Sequence, residues 1–211
     1  MRPLGVEARI GEPRQVVWRC RPPYAPLVNG AERAAQVAER QLAAVLPRRW
    51  RHVRAVAAKA QGLAHLALTG DSDLLIAAAW LHDIGYAPGV VRTGFHALDG
   101  ARWLLRQGYE PRLAGLVANH SCASYEAAER GLADVLAAEF PLEVSPTSDA
   151  LWYADMTTGP DGQDLSVEER LAEIRRRYGP DDLVTRFWSK AEAPLLIAVR
   201  RVHGRMAAQP M

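Results

Sequence analysis

The residues best suited to chemistry are the adjacent pair His82-Asp83, which directly follows the uncharged run 74–81. Two polar side chains at the edge of an apolar segment are costly to bury unless something satisfies them, and a metal ion would satisfy both. His52 lies 30 residues before His82, and Asp155 lies 72 residues after Asp83. Because both also lie in segments with helical periodicity, these four residues predict a metal site held by helices.

The mixture of imidazole nitrogens and carboxylate oxygens indicates which ion such a site prefers. The donor set suits Fe, Mn, Co, Ni or Zn better than Mg or Ca, which prefer oxygen ligands throughout. Four protein ligands on an octahedral ion leave positions for a water and for an oxygen of a substrate. A divalent transition metal would activate that water and polarise the bond that it attacks. The predicted chemistry is hydrolysis by metal-activated water, with His82 and Asp83 as catalytic residues.

The order His, His-Asp, Asp resembles the ligand order of the HD-domain superfamily of metal-dependent phosphohydrolases. The resemblance covers about residues 47–156 and is carried by the stretches RRWRHVRAVAAKAQGLA, AAAWLHDIGYAP and DALWYADMTTGPDG. It implies an all-helical fold and a metal held by His52, His82, Asp83 and Asp155. It does not indicate a particular substrate.

Two further histidines, His96 and His120, extend the resemblance to HD subfamilies that bind two ions. The order His, His-Asp, His, His, Asp is similar to that of bacterial HD enzymes that cleave dinucleoside tetraphosphates. It is also similar to HD-type cyclic-dinucleotide phosphodiesterases, although Tyr86-Ala-Pro departs from their HD-GYP run. This similarity implies that Asp83 bridges two ions and that His96 and His120 hold the second. Alternatively, His96 binds phosphate as a cation, and His120 is a general acid or a core histidine.

Three functions are consistent with these residues. The first is hydrolysis of a phosphoester or phosphoanhydride bond in a small nucleotide-like substrate. The second is a one-metal nucleoside monophosphatase, in which His96 and His120 stay off the metal. The third is a non-catalytic, metal-binding HD module that acts as a sensor or binds a partner. The complete ligand set argues against the third, because a degenerate domain would be expected to lose ligands.

Arginines near these motifs are candidate substrate-binding residues, because guanidinium groups fork onto phosphate oxygens. Arg51, beside His52, is the strongest candidate, and Arg54 and Arg92 are further ones. Lys59 is a candidate for the same role. The alternative is that all of them are ordinary surface side chains.

The composition limits the class of protein. With 211 residues, of which 49% are hydrophobic, the chain can bury a core without disulfides. Abundant Ala, Leu, Arg and Glu favour helix over sheet. Cys20 and Cys122 form no CxxC motif, so a thiolate zinc site is not expected. No apolar run approaches the roughly 20 residues of a membrane span, and no signal-peptide core is found, so we expect a cytoplasmic enzyme.

The charge is unevenly distributed along the chain. The net charge is +2, but the first 60 residues carry 12 Lys and Arg against 4 Asp and Glu. This excess either steers an anionic substrate toward the site or is a solvated arginine-rich face. Nucleic-acid binding is not expected, because the basic residues are not interleaved with stacking aromatic residues. The sequence leaves a homo-oligomer open.

The elements that position these residues are predicted to form one helical domain over residues 31–211, with a motif core at 47–160. Residues 1–30 contain several prolines and are predicted to be irregular, with a short strand at 15–19.

Each candidate ligand is predicted to lie near a helix end. His52 is expected on the first turns of its helix, and His82-Asp83 on the last turn of theirs, which Gly85 closes. Asp155 is expected on a helix that Ser145-Pro146 begins. The predicted helices span about residues 31–46, 47–68, 72–84, 95–107, 111–120, 124–139, 146–158, 166–178 and 182–203.

Overall fold

The computed structural model describes residues 30–208, and within this range the regular elements are all helical. The predicted all-α class is therefore confirmed over the described residues. Of the predicted irregular segment 1–30 only Gly30 is described, and the predicted strand at 15–19 lies outside the described range. The α-helices are α1 (Gly30–Leu42), α2 (Pro47–Gly62), α3 (Ser72–Leu81), α4 (His96–Arg106), α5 (Pro111–Ala118), α6 (Ala123–Glu129), α7 (Ala133–Glu139), α8 (Pro146–Met156), α9 (Val167–Tyr178) and α10 (Leu183–Ala207).

Helix α3 lies at the centre of the larger core because its sequence is apolar almost all round. A helix of this kind is stable only when it is surrounded by other elements. It packs against α1, α2, α5 and α8. The polar pair that follows α3 is consequently held inside the protein.

Helix α2 turns one candidate ligand toward that core. Pro47 lies in its first turn, where a missing N–H costs nothing. The buried residues of α2 are His52, Val53, Val56, Ala57 and Ala60. Their spacing of three and four residues defines one face of the helix, so His52 points inward rather than to solvent.

The His-Asp pair lies just beyond the end of α3, whereas the sequence predicted it on the last turn of that helix. Helix α3 ends at Leu81, and a single-turn 3-10 helix, Ile84–Tyr86, follows the pair. This turn packs closely on α4. A Cβ atom at Gly85 would lie 1.9 Å from the carbonyl oxygen of His96. The close approach fixes the loop that carries the pair against the start of α4.

Replacing Gly85 by Ala is expected to lower the free energy of unfolding by about 3 kcal/mol or more. Overpacking a core costs about 1–3 kcal/mol even where side chains can move aside, and here the neighbour is backbone. Chemical denaturation would measure the change. Gly89→Ala is the matched control, because a Cβ there meets nothing within 4 Å. Equal stability of the two variants would contradict this account of the turn.

Asp99 fixes the loop that precedes α4. Its carboxylate accepts hydrogen bonds from the backbone N–H groups of Arg92, Thr93 and Gly94, at 2.8, 2.9 and 3.1 Å. A buried carboxylate with several N–H donors needs no counter-ion. Asp99 therefore sets where α4 begins and so where His96 lies.

The predicted helix over 124–139 is two helices, α6 and α7. Gly131 lies between them with φ +69°, a left-handed conformation that suits glycine and ends a right-handed helix. The helix predicted over 47–68 is also shorter, because the chain turns into a 3-10 helix at Ala64–Leu66.

Helices α9 and α10 contribute most of a second, smaller hydrophobic core. Cys122 and Met156 pack there against buried side chains of α9 and α10. The predicted capping box from Ser166 to Glu169 begins α9. Helix α10 extends to Ala207, beyond the predicted end at His203. Across residues 30–208, none of the helices combines the length and the apolar character needed to cross a membrane.

Candidate metal centre and its cavity

Three buried histidines are held by the same kind of hydrogen bond. Each has its Nδ1 atom within hydrogen-bond distance of a backbone carbonyl oxygen, to which Nδ1–H can donate. Such a bond leaves Nε2 with its lone pair, the form that binds metal. The contacts join His52 to Gly159 at 3.0 Å, His82 to Ala79 at 2.8 Å and His120 to Val117 at 2.6 Å.

Asp83 lies between two sets of imidazole nitrogens. Its Oδ2 atom is 3.4 Å from Nε2 of His82 and 3.9 Å from Nε2 of His52. Its Oδ1 atom is 3.6 Å from Nε2 of His96, which lies 3.2 Å from Nε2 of His120. The ligand atoms within each set lie within 4.8 Å of one another. A carboxylate in this position can bind one cation through each of its two oxygens.

Asp155 completes the first of these sets. Its Oδ1 atom is 3.0 Å from Nε2 of His52 and 3.8 Å from Nε2 of His82. The hydroxyl of Ser121 donates to its other oxygen, Oδ2. The structure thus brings together all six residues predicted as metal ligands, which are His52, His82, Asp83, His96, His120 and Asp155.

The Nε2 atom of His82 indicates most directly that the cluster suits a cation. It is buried and has no hydrogen-bond partner among the described residues. Buried polar atoms are nearly always satisfied, so an orphan atom in a cluster of potential ligands needs an explanation. A divalent ion would bind its lone pair, and the nitrogen and oxygen donors around it match the preferences of transition metals.

The charges of the cluster also favour a cation. Burial opposes ionisation of Asp83, but the guanidinium of Arg49 and the imidazole of His82 hold its pKa well below the ordinary value. Burial likewise opposes ionisation of Asp155, yet its hydrogen bond to His52 lowers its pKa. Both carboxylates are therefore ionised at neutral pH.

The histidines of the cluster differ in basicity. Burial disfavours protonation of His82, but the Asp83 carboxylate outweighs it and raises the pKa of His82 to about 9. Burial and neighbouring imidazoles lower the pKa of His96 and of His120. These two side chains are neutral at pH 7 and have lone pairs available.

Metal affinity is expected to rise with pH, by about tenfold per unit between about pH 6 and pH 8, and to level off near pH 9. A pKa of about 9 means that His82 carries a proton below that pH. An ion that binds Nε2 must displace this one proton. Titration of the protein with Mn²⁺ in buffers across this range would measure the slope. An affinity that does not change between pH 6 and pH 8 would contradict the role of His82.

Arg49 lies beside the cluster although it was not predicted. Its guanidinium donates to Oδ2 of Asp83 and stacks over the ring of Tyr86, 3.6 Å from the ring centroid. Tyr86 stacks in turn on His96, with ring centroids 4.2 Å apart. The sequence contains a signal for this residue: Arg49 precedes His52 by three residues, which places both on one face of α2.

Two consecutive residues next to the cluster have left-handed backbone conformations. Ser121 has φ +46° and Cys122 has φ +60°, which is rare for residues other than glycine. Strain of this kind is retained where the surroundings impose it, often at functional sites. Here it directs the Ser121 hydroxyl to Asp155. Burial raises the pKa of Cys122 to about 12, so its thiol stays protonated at neutral pH.

The cluster opens into a cavity of about 570 Å³. This volume suits a small-molecule ligand. Side chains of α2, α6, α9 and α10 form its walls. Its basic lining residues are Arg48, Arg49, Arg130, Arg170 and Arg177. Its apolar lining residues include Val45, Leu46, Ile174, Val184, Phe187 and Trp188.

The three arginines predicted to bind substrate do not line this cavity. Arg51 is exposed, and its Nη2 atom donates to Asp161 at 2.6 Å. Arg54 and Arg92 are also exposed. Arg51 and Arg54 lie one and two residues from His52, so the helical rotation turns them to other faces of α2. The structure thus offers a different set of arginines to an anion.

Comparison with known proteins agrees with this geometry. The family model described as HD domain matches residues 49–174, about three fifths of the chain. The matched stretch contains all six candidate metal ligands, which are called the metal-binding cluster below for the role proposed for them. No curated protein and no solved structure matches the chain.

Proposed function

The chain belongs to the HD-domain family, whose members are generally metal-dependent phosphohydrolases, and we propose that it hydrolyses a phosphoester or phosphoanhydride bond of a small nucleotide-like substrate. The observation that carries the proposal is the position of the cluster. Five of the six candidate ligands, His52, Asp83, His96, His120 and Asp155, line an open cavity, and the sixth, His82, has its buried Nε2 atom among them without a hydrogen-bond partner in the described residues. A structural metal is enclosed by protein ligands, whereas a catalytic metal keeps a position open to substrate.

The proposed cofactor is a divalent transition metal, Fe, Mn, Co, Ni or Zn, with two ions at full occupancy. His52, His82, Asp83 and Asp155 would hold the first ion, and Asp83, His96 and His120 the second. When bound, the metal would polarise the phosphoryl group and lower the pKa of a water molecule.

The side chains around the cluster would bind and orient the substrate. Arg49 lies beside Asp83 with a raised pKa, so it stays charged and is available to a phosphoryl oxygen. Stacking on Tyr86 limits the directions in which its guanidinium can point. Ser121 keeps Asp155 oriented. The apolar wall at Phe187 and Trp188 would receive a flat, poorly solvated part of the substrate, such as a base.

The one-metal nucleoside monophosphatase is the nearest alternative. In that case His96 and His120 would hydrogen-bond to each other, or His120 would act as a general acid, instead of binding an ion. The position of Asp83 favours two ions, because Oδ1 faces His96 while Oδ2 faces His52 and His82. The non-catalytic module has less support, because a structural metal is enclosed by protein ligands, whereas the candidate ligands here line an open cavity.

Release of phosphate or nucleotide products from mono-, cyclic and dinucleotide substrates tests the proposal. Wild-type protein would be assayed with Mn, Fe, Co, Ni or Zn beside a folded Asp83→Ala control. We expect release from at least one substrate class, and none from the control. If folded wild-type protein released nothing with any of these metals, the proposal would be overturned in favour of the non-catalytic module.

A further inference from the structure

We propose that the cavity contains a second anion site, formed by Arg170 and Arg177 on α9, and that the substrate therefore carries at least two phosphoryl groups. One group would lie at the metal-binding cluster and the other at α9. This inference rests on the proposed function, because it concerns the substrate of the same cavity. It goes beyond that function by specifying that the substrate is a multiply phosphorylated nucleotide rather than a monophosphate.

Arg170 is a buried cation with an unsatisfied donor. It lines the cavity, yet only 8% of its surface is exposed. Its Nη1 atom donates to Glu173, whereas its Nε atom is buried and has no acceptor within residues 30–208. A buried N–H of a charged group without an acceptor is costly. An anion in the cavity would supply that acceptor once the guanidinium turns toward it.

The second residue of the site adds positive charge on the same side of the cavity. Arg177 follows Arg170 by seven residues, and Ile174 lies between them on the same face of α9. All three line the cavity. The Nε atom of Arg177 lies 3.4 Å from Oε1 of Glu173, the carboxylate that Arg170 also binds. Among the described ion pairs of these two arginines, one carboxylate thus serves two guanidinium groups.

Two other arginines of the cavity are neutralised differently. Arg49 has Asp83 as its partner, and Arg130 has Glu126. Arg48 also shares one carboxylate, that of Asp161, with Arg51, but its side chain is 56% exposed, whereas Arg170 is buried. The buried surplus of positive charge is therefore at Arg170 on α9, a helix that contributes no residue to the cluster of candidate ligands. Guanidinium groups bind phosphate oxygens in pairs of N–H bonds, so a phosphoryl group is the anion that fits them best. A nucleoside monophosphate has a single phosphoryl group and cannot occupy both places.

Binding of nucleotides to the Mn²⁺-loaded protein, measured by titration calorimetry, tests this inference. The ligands are adenosine 5′-monophosphate, adenosine 3′,5′-bisphosphate and α,β-methylene adenosine diphosphate, each confirmed intact after the titration. We expect at least one doubly phosphorylated nucleotide to bind more tightly than the monophosphate. Arg170→Gln should remove roughly 10- to 100-fold of affinity for that nucleotide and leave the monophosphate unchanged. Arg176→Gln, on an exposed residue of α9 outside the cavity lining, is the matched control.

The inference is overturned if no doubly phosphorylated nucleotide is preferred, or if Arg170→Gln weakens all three ligands equally. Should that variant fail to fold, Arg170→Lys keeps the charge but loses the fork, and Arg177→Gln removes the second guanidinium. Each of these two variants should reduce the preference for doubly phosphorylated nucleotides, because each weakens the guanidinium contacts to the second phosphoryl group. Because binding is measured without turnover, the result is separate from the proposed function. If the protein preferred doubly phosphorylated nucleotides but hydrolysed no substrate of the panel, the second anion site would be supported and the proposed hydrolase function contradicted.

Discussion

Asp83→Asn is expected to lower the rate of phosphate release by more than about 100-fold. Asp83 contributes one oxygen to each set of ligands, so its amide analogue would weaken both ions at once. Replacing groups that only orient metal ligands already costs about 10- to 100-fold in affinity or activity, and a bridging carboxylate should cost more. The rate would be measured on the best substrate of the panel, at saturating metal.

The control for this variant has to separate chemistry from folding. Asp73→Asn changes an exposed carboxylate in the first turn of α3 and should leave the rate unchanged. Thermal unfolding is needed as well, because an uncharged amide in place of the Asp83 carboxylate could not neutralise the guanidinium of Arg49. A folded Asp83→Asn protein that keeps more than a tenth of the wild-type rate would contradict the central role of Asp83.

His120→Gln is expected to reduce the metal content from two ions per chain to one. The Nε2 atom of His120 lies 3.2 Å from that of His96, and these two imidazoles form one group of potential ligands with Asp83, to which His52 does not belong. Loss of this imidazole removes one of three ligands of the second ion but none of the first. Metal analysis after gel filtration would give the stoichiometry, and phosphate release should fall with it.

The exposed His65 offers a matched control, since His65→Gln should keep both ions. If wild-type protein bound a single ion and His120→Gln kept it, the one-metal alternative would be correct. The loss of both ions from a folded His120→Gln protein would show that the two sets are not separate.

The convergence of the six candidate ligands could be predicted because these residues leave strong local patterns. His52 lies on the apolar face of α2. Because this face is buried against the core, the His52 side chain points inward. The pair His82-Asp83 follows an apolar helix that has to be buried, so it enters the core with that helix. These patterns depend on residues that are neighbours in the sequence. They do not require knowledge of which helices pack together.

The residues that line the cavity around the cluster could not be predicted in the same way. Arg51 is next to His52 in the sequence, but the better-placed residue is Arg49, one helical turn away on the same face. Arg170 belongs to a helix that follows the last ligand, and only the packing of α9 against the cavity reveals its position. Ser121 reaches Asp155 through a left-handed backbone that residue type does not indicate. The tertiary arrangement decides each of these placements.

The break between α6 and α7 shows that the continuity of a helix is also hard to predict from sequence. The segment 124–139 has helical composition throughout, and Gly131 alone indicates that it is not continuous. Because glycine is tolerated inside helices at a cost of about 1 kcal/mol, its presence did not settle the question. The left-handed conformation at Gly131 depends on how the two short helices pack.

Metal-dependent hydrolysis should be tested by following the release of phosphate or nucleotide products from one protein sample before chelation, after chelation and after metal is restored. The nucleotide panel would be used throughout, with folding followed by circular dichroism. We expect product release to stop when the metal is removed and to return with Mn²⁺ or another transition metal. Release that continues at the same rate in the metal-free, folded protein would contradict it.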